Sequence, residues 1–253
     1  MASYLITGCS RGIGLATASH LASLSKDNVS IIFATARSHS SALDKLVQDS
    51  AGRVIFLNID TTNKTSVSAA ATEVEKIVGD RGLDVLINNA GITAYTPGWT
   101  ETLTDLNDVF NVNVNGTNII TTTFLPLLRK SSVKKIINIT SSFGSIELAP
   151  ILKYPGPAYI ISKTALNSLT KQWALVLDSE GFTVLALSPG WVKTENFGGD
   201  AAHLTEAEAG KGIVEAIARA NKADNGLHRS SLIPGWEDSP IEGMKYDGKV
   251  IPW

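Results

Sequence analysis

The chain has 253 residues, of which 43% are hydrophobic and 18% are charged, a balance that is ordinary for a globular protein and excludes a disordered one. Its 22 Lys and Arg residues against 24 Asp and Glu leave a formal net charge of -2, which gives no electrostatic reason to expect nucleic acid or an anionic membrane as a partner. A small neutral or apolar molecule therefore fits better as a ligand, and no metal-ligating residues are assigned.

The beginning of the chain, MASYLITG, reads as a strand rather than a signal peptide because it has no basic segment and no long apolar run. No later apolar run reaches the roughly 18 residues that a membrane helix needs. Cys9 is the only cysteine, which excludes an intramolecular disulfide and fits a reducing compartment. These features predict a cytoplasmic protein.

Short β-branched runs alternate with helix-length segments along the whole chain. Seven runs predict strands, and the predicted helices lie near 12–25, 41–49, 64–79, 103–129, 157–179 and 205–220. This alternation predicts βαβ units and a seven-stranded parallel sheet with helices on both faces. No linker and no internal repeat interrupts it, so we predict a single doubly wound α/β domain over 1–253. In such a sheet, ligands bind at the carboxyl ends of the strands.

The first predicted strand ends in TGCSRGIG, Thr7 to Gly14, which places three glycines directly before a helix. Glycines here permit a tight turn and let backbone N–H groups and the helix N-terminus approach a pyrophosphate. The spacing, G-x3-G-x-G, differs from the common dinucleotide pattern G-x-G-x-x-G, and a plain tight turn is the alternative. The position of the glycines after the first strand favours a dinucleotide site.

The second predicted strand ends in FATAR, where a fold that prefers NAD carries Asp or Glu and one that prefers NADP carries a cation. This chain has Arg37 there and Arg11 in the glycine loop. A guanidinium can bind phosphate with paired hydrogen bonds, so the pair predicts NADP(H), with ordinary surface charges as the alternative. Asp60, which closes the third strand, is a candidate for binding the adenine amino group or, alternatively, an N-cap of the helix after Thr61.

Further motifs follow in order. They are NNAG at 88–91, NVNG at 113–116, ITSS at 139–142, YIISK at 159–163 and PGWVKT at 189–194. Together with TGCSRGIG they resemble the short-chain dehydrogenase/reductase family, and the likeness covers nearly the whole chain. The resemblance implies a single Rossmann domain, oxidoreductase activity, NADP(H) as cofactor and a small-molecule carbonyl substrate. It also permits a homodimer or homotetramer paired through the helices near 103–129 and 157–179, the second of which is expected to carry Leu166, Leu169 and Trp173 on an apolar outer face.

The same resemblance implies a catalytic set of four residues. Tyr159 would be the acid/base, Lys163 its partner, Ser141 the donor to the substrate carbonyl and Asn113 the holder of a water relay. The spacing supports the first pair independently, because residues i and i+4 are neighbours on a helix and an ammonium favours the phenolate of a group whose pKa is otherwise about 10. The alternatives are a satisfied helix asparagine for Asn113, a backbone-bonded hydroxyl for Ser141, and Ser142 in place of Ser141, since the segment before Tyr159 is unusually long.

The cofactor-binding set is also implied by the resemblance. It consists of Gly8, Ser10, Arg11, Gly12, Ile13, Gly14, Arg37, Asp60, Asn89, Ala90, Gly91, Tyr159, Lys163, Pro189, Gly190, Val192 and Thr194.

Apolar side chains near these motifs predict a bulky, largely apolar ketone or aldehyde as substrate, with core or subunit packing as the alternative for each. They are Phe143, Ile146, Leu148, Ile151, Leu152, Tyr154, Tyr95, Trp99, Trp191 and Phe197. Residues 195–210 are predicted to form a substrate lid with a hinge at Phe197-Gly198-Gly199.

The favoured interpretation is an NADPH-dependent carbonyl reductase with Tyr159 as the proton donor. The LITG…RGIG opening and the GKVIPW tail are similar to the branch of the family that holds sniffer-like carbonyl reductases and norsolorinic acid ketoreductase-like enzymes. An alcohol dehydrogenase acting in oxidation and a non-catalytic NADPH-binding redox sensor are the alternatives.

Overall fold

A computed structural model describes residues 1–195, 197–239 and 244–253. In these residues one parallel sheet has the strand order β3-β2-β1-β4-β5-β6-β7. The strands are β1 (Ala2–Thr7), β2 (Val29–Ala36), β3 (Val54–Asn58), β4 (Val85–Asn88), β5 (Lys135–Ile139), β6 (Thr183–Ser188) and β7 (His228–Ser230). The predicted seven-stranded parallel sheet is confirmed.

The helices are α1 (Gly12–Ser23), α2 (Ser41–Asp49), α3 (Lys64–Val78), α4 (Leu106–Phe110), α5 (Thr117–Lys130), α6 (Pro157–Val176) and α7 (Glu206–Arg219). The segment predicted as one helix over 103–129 contains a π-helical stretch, Asn111–Gly116, between α4 and α5. Such stretches are often found at functional sites, and this one holds Asn113. In the part of the chain that is described, no helix combines the length and apolar character needed to cross a membrane.

Two apolar layers cover the two faces of the sheet. One layer contains Leu5 of β1 and Phe124 of α5, together with side chains of α3. The other contains Ile6 of β1 and Ile213 of α7, together with side chains of α1 and α2. Adjacent residues of a strand point to opposite faces, and both faces are covered, so the strands read as continuous apolar runs.

The outer face of α6 differs from the predicted subunit contact. Leu166, expected on that face, is only 2% exposed and is buried within the chain. The Trp173 indole donates a hydrogen bond to Asn118 Oδ1 at 3.1 Å and so is tied to α5. The exposed apolar side chains of α6 are instead Ile161, Leu175 and Val176.

The sheet opens a crevice beside β1. This strand pairs in parallel with β2 on one side and with β4 on the other. The chain therefore leaves the carboxyl ends of β1 and β4 in opposite directions, which creates the switch point where open α/β sheets bind ligands. The glycine loop follows β1 at this point, and Asn89 to Gly91 follow β4.

The imidazole of His228, on β7, makes stability depend on pH. It is fully buried and stacks on the Trp253 ring at a centroid distance of 5.5 Å. Burial lowers the pKa of His228 from 6.5 to about 4. Between these values the unfolded chain binds the proton and the folded chain does not, so stability is lost as pH falls, by about 1.4 kcal/mol per pH unit from this group.

We expect His228→Leu to flatten the pH dependence of the free energy of unfolding over this window. Urea unfolding at a series of pH values measures it. The matched variant His20→Leu changes a partly exposed residue of α1 and should keep the slope of the wild type. Equal slopes in the His228→Leu variant and the wild type would contradict the prediction.

Candidate active site

A cleft of about 340 Å³ opens at the carboxyl ends of the strands. Every residue of the predicted cofactor-binding set lines it, from Gly8 to Thr194, and so does Ser141. Asn113 does not. The structure thus brings motifs from distant parts of the chain to one place, as the sequence predicts.

The glycine loop lies tightly against the segment after β4. Gly8 has a φ of +77°, and a Cβ there would be 2.9 Å from Ala90 Cα. A Cβ on Gly14 would be only 2.3 Å from the Gly8 carbonyl oxygen, so this position requires glycine for close packing rather than for turning. Asn89 Nδ2 donates to the Thr7 carbonyl at 2.8 Å and ties the two segments together. The start of α1 consequently borders the cleft, where helix N–H groups favour an anion.

Arg11 and Arg37 both line the cleft and are exposed. Arg11 Nε lies 3.5 Å from Glu195 Oε2. An exposed ion pair of this kind contributes little stability, so Glu195 would compete only weakly with a ligand phosphate for Arg11.

Asp60 lines the cleft, and its carboxylate accepts hydrogen bonds from Thr62. Its Oδ1 accepts from the Thr62 backbone N–H at 2.9 Å and from the Thr62 hydroxyl at 2.7 Å. These hydrogen bonds lower the pKa of the Asp60 carboxyl. The alternative role as a helix N-cap is not observed, because Asn63 caps α3 by accepting from the Thr65 N–H.

Tyr159 and Lys163 border the cleft from the first turns of α6. Lys163 Nζ donates to the Ile139 carbonyl at 2.8 Å and lies 5.6 Å from the centre of the Tyr159 ring. Burial raises the pKa of Tyr159 to about 12 and lowers the pKa of Lys163 to about 8. Burial therefore dominates the pKa of the phenol in this structure, and the lowering of that pKa by the Lys163 ammonium stays a prediction. The phenol holds its proton at neutral pH.

The two candidate serines have different partners. The Ser141 hydroxyl accepts from the Phe143 N–H at 3.2 Å, as in the backbone-bonded alternative, and it also lies beside the Tyr159 phenol, where it opposes the effect of burial on the phenol pKa. Ser142 instead contacts Ser188. The two hydroxyl oxygens are 3.1 Å apart, and the Ser142 N–H donates to Ser188 Oγ, also at 3.1 Å. The geometry favours Ser141 as the hydroxyl beside Tyr159.

Asn113 lies behind the cleft and is fully buried. Its Oδ1 accepts from the Ile92 N–H at 2.8 Å, and its Nδ2 donates to the Ile92 carbonyl and to Ser162 Oγ, each at 2.9 Å. These bonds join the segment after β4 to α6 next to Lys163. They match the alternative of a satisfied asparagine, and the water relay stays a prediction.

The predicted substrate-contacting side chains fall into three groups. Tyr154 and Phe197 contact the Tyr159 ring, and Phe143 contacts both of those rings. Leu148, Leu152 and Trp191 pack in the apolar cluster that contains Phe143. The exposed members are Tyr95, Trp99, Ile146 and Ile151. Of the predicted lid, Asn196 lies outside the described residues, and opening of the segment stays a prediction.

Several cleft residues were not among the site residues predicted from the sequence. They are Ala36, Ile59, Thr61, Thr62, Ile92, Thr93, Val112, Ile139, Thr140, Glu195 and Glu206. Most lie at or just after the carboxyl end of a strand, so the position rule for open sheets could have found them. The two glutamates gave no signal in the sequence.

The sheet order, the glycine loop and the tyrosine–lysine pair at the switch point together define a Rossmann-type oxidoreductase. A family model described as short chain dehydrogenase matches residues 3–204. The chain belongs to the short chain dehydrogenase family.

Among curated relatives, the short-chain dehydrogenase anuI of Penicillium roqueforti is 35% identical over 226 residues, which are 86% of this chain and 88% of the relative. Among solved structures, the carbonyl reductase Sniffer of D. melanogaster superposes with a TM-score of 0.87 at 30% identity over 100% of both chains. An NADPH-bound carbonyl reductase from chicken fatty liver gives a TM-score of 0.85 at 29% identity, over 100% of this chain and 99% of that one.

Proposed function

We propose that the protein is an NADPH-dependent carbonyl reductase that reduces a bulky, largely apolar ketone or aldehyde with Tyr159 as the proton donor. The observation that carries this proposal is the single cleft that holds Tyr159, Ser141 and Lys163 together with two arginines. The likeness to two carbonyl reductase structures supports it. We also propose that residues 1–253 form one domain.

The residues of the cleft fit NADP(H). At Gly12 a Cβ would have only Thr194 Cγ2 and Glu206 Oε1 nearby, at 3.7 and 3.9 Å, so the missing side chain leaves open space on the cleft side of the loop. Arg11 and Arg37 would hold the 2′-phosphate, and Lys163 would hold the nicotinamide ribose. Pro189 to Thr194 would hold the nicotinamide end, and Asp60 the adenine. When bound, NADPH supplies the hydride that reduces the carbonyl carbon.

Three side chains of the cleft could bind the substrate carbonyl and supply the proton that reduction requires. Ser141 and Tyr159 would both donate hydrogen bonds to the substrate's carbonyl oxygen, where negative charge develops. Tyr159, protonated at neutral pH because burial raises its pKa to about 12, would then transfer its proton to that oxygen. The Lys163 ammonium, 5.6 Å from the ring centre, would stabilise the phenolate that remains.

The alternatives differ from this proposal in what they require of the site. Alcohol oxidation would use the same residues in reverse and differs only in the cofactor form and the substrate, so the likeness to two carbonyl reductase structures is what favours reduction. A non-catalytic NADPH-binding redox sensor would be indicated by a broken catalytic set. Here Ser141, Tyr159 and Lys163 line one cleft, and Asn113 is buried behind it. Carbonyl reduction therefore agrees best with the site.

The test is the consumption of NADPH by the purified protein with a panel of aromatic ketones, quinones and aldehydes. NADPH absorbance reports oxidation, and mass spectrometry identifies the alcohol. We expect one alcohol formed per NADPH consumed, with NADH much less effective. Tight binding of NADPH with no carbonyl reduced would favour the binding-protein alternative.

Arg37→Ala should weaken NADPH binding about tenfold, because it removes one charge-assisted contact to the 2′-phosphate. NADH lacks that phosphate, so its Kd should change little. Titration of both cofactors measures the difference. Arg81→Ala, an exposed position before β4 at the opposite end of the sheet, is the matched control and should change neither Kd. Equal weakening of both cofactors by Arg37→Ala would contradict the assignment of NADP(H).

A further inference from the structure

The Tyr159 ring is one of four aromatic rings that lie together. The Phe197 ring centroid lies 5.1 Å from that of Tyr154, 5.4 Å from that of Tyr159 and 6.2 Å from that of Phe143. Tyr154 also contacts Phe143 at 5.4 Å and Tyr159 at 6.0 Å. Phe197 thus sits against three rings, Phe143, Tyr154 and Tyr159, which we call the aromatic box.

Phe197 separates part of this box from the cleft. Phe197 and Tyr159 line the cleft, whereas Phe143 and Tyr154 do not. A substrate whose carbonyl oxygen reaches the Tyr159 hydroxyl must place its substituents beside that ring, where the Phe197 phenyl group now lies. Substrate and the Phe197 ring therefore compete for the same space.

The Tyr154 ring of the aromatic box and the Phe197 ring that lies against the box are held in place by different interactions. The Tyr154 hydroxyl lies 3.1 Å from Thr93 Oγ1, a hydrogen bond that fixes the Tyr154 ring. Phe197 belongs to another segment, the loop after β6. Its backbone is fixed to Thr194, whose hydroxyl donates to the Phe197 carbonyl at 3.0 Å. The Phe197 phenyl group itself is held only by ring contacts and apolar packing, because it has no hydrogen-bond donor or acceptor. Rotation of this one side chain can therefore clear the space while the loop backbone stays in place.

We propose that the Phe197 ring occupies the place of a substrate aryl group, so that the aromatic box is a subsite for a planar aromatic ring attached to the carbonyl. This inference rests on the proposed carbonyl reduction and narrows its substrates to aryl ketones and aryl aldehydes. A flat ring can replace the Phe197 phenyl against Tyr154 and carry its carbonyl to Tyr159. A saturated ring is thicker and lacks the quadrupole that favours aromatic contacts.

Benzene binding tests the subsite without any turnover. Phe197→Ala removes one phenyl ring and leaves a space lined by the three rings of the aromatic box, and engineered apolar cavities can bind benzene. We expect benzene to raise the Tm of Phe197→Ala and to leave the Tm of the wild type, whose box is filled, unchanged. Phe56→Ala removes the same group from β3, far from the box, and should show no benzene effect. No benzene effect on Phe197→Ala would overturn the subsite.

The ratio of kcat/KM for benzaldehyde to that for cyclohexanecarbaldehyde tests the same subsite in catalysis. We expect the wild type to favour benzaldehyde about tenfold, the equivalent of one to two aromatic contacts, and Tyr154→Leu to lose most of that preference. Phe197→Ala should keep the preference and lower KM for benzaldehyde, since it removes the competitor. Equal reduction of both aldehydes by the wild type would overturn the subsite and leave carbonyl reduction intact. Benzene binding to Phe197→Ala without reduction of any carbonyl would instead overturn the proposed function while supporting the aromatic-ring site.

Discussion

Tyr159→Phe is expected to lower kcat for carbonyl reduction by roughly 10²–10⁴-fold, because it removes the group that transfers the proton and almost nothing else. The ring would keep its contacts with Tyr154 and Phe197. The Kd for NADPH should change little, because the phenol oxygen is not among the groups assigned to the phosphates. Steady-state kinetics and a cofactor titration measure the two quantities separately.

Tyr4→Phe is the matched control for this loss. Tyr4 is a partly buried residue of β1, and burial raises its pKa as well. Removing its hydroxyl should leave kcat unchanged. Retention of wild-type kcat by Tyr159→Phe would contradict the assignment of the proton donor.

Ser141→Ala is expected to lower kcat by roughly 10²–10³-fold, the loss that follows removal of one donor to a developing oxyanion. KM should change much less, because the negative charge on the carbonyl oxygen develops only in the transition state. The same variant removes the hydrogen bond that lowers the pKa of Tyr159, so the pKa of the phenol should rise further. A tyrosinate titration followed by ultraviolet absorbance measures that second effect.

Ser142→Ala separates this role from simple loss of a hydroxyl. Ser142 is bonded to Ser188, so its loss should lower the free energy of unfolding by about 1 kcal/mol and leave kcat close to that of the wild type. The reverse outcome, with activity lost in Ser142→Ala and kept in Ser141→Ala, would restore the alternative that the sequence left open.

The fold could be predicted from the sequence because local pattern and long-range packing agree. Leu5 and Ile6 belong to opposite apolar layers, so the run around them is apolar at every position and predicts a strand buried on both faces. The position of the glycine loop was predictable for a similar reason. Its glycines directly follow β1, and the switch point in an open sheet lies at strand ends.

Two properties of the site could not be predicted from the sequence, because they arise only in the folded chain. These properties are the orientation of individual side chains and the extent of their burial. Ser141 and Ser142 are adjacent and chemically identical, and only the fold turns one to Tyr159 and the other to Ser188. The i, i+4 spacing of Tyr159 and Lys163 predicts proximity but says nothing of how much burial opposes the charge effect on the phenol pKa.

Contacts between distant segments were also outside the reach of local pattern. Phe197 is 38 positions from Tyr159 in the sequence, and no spacing rule relates the two rings. Leu166 was expected on the outer face of α6 because it is apolar, but helix orientation places it inside and leaves Leu175 and Val176 exposed. The periodicity of apolar residues predicts which side chains share a face of a helix. It does not predict whether that face packs inside the chain or is exposed.

The most direct measurement of the central claim is the parallel assay of wild type and Tyr159→Phe with NADPH and an aryl ketone or aldehyde, following NADPH oxidation and alcohol formation together. We predict one alcohol per NADPH oxidised by the wild type and loss of nearly all of that turnover in the variant, with NADPH still bound. Equal turnover by the two proteins, or NADPH bound by both with no carbonyl in the panel reduced, would contradict it.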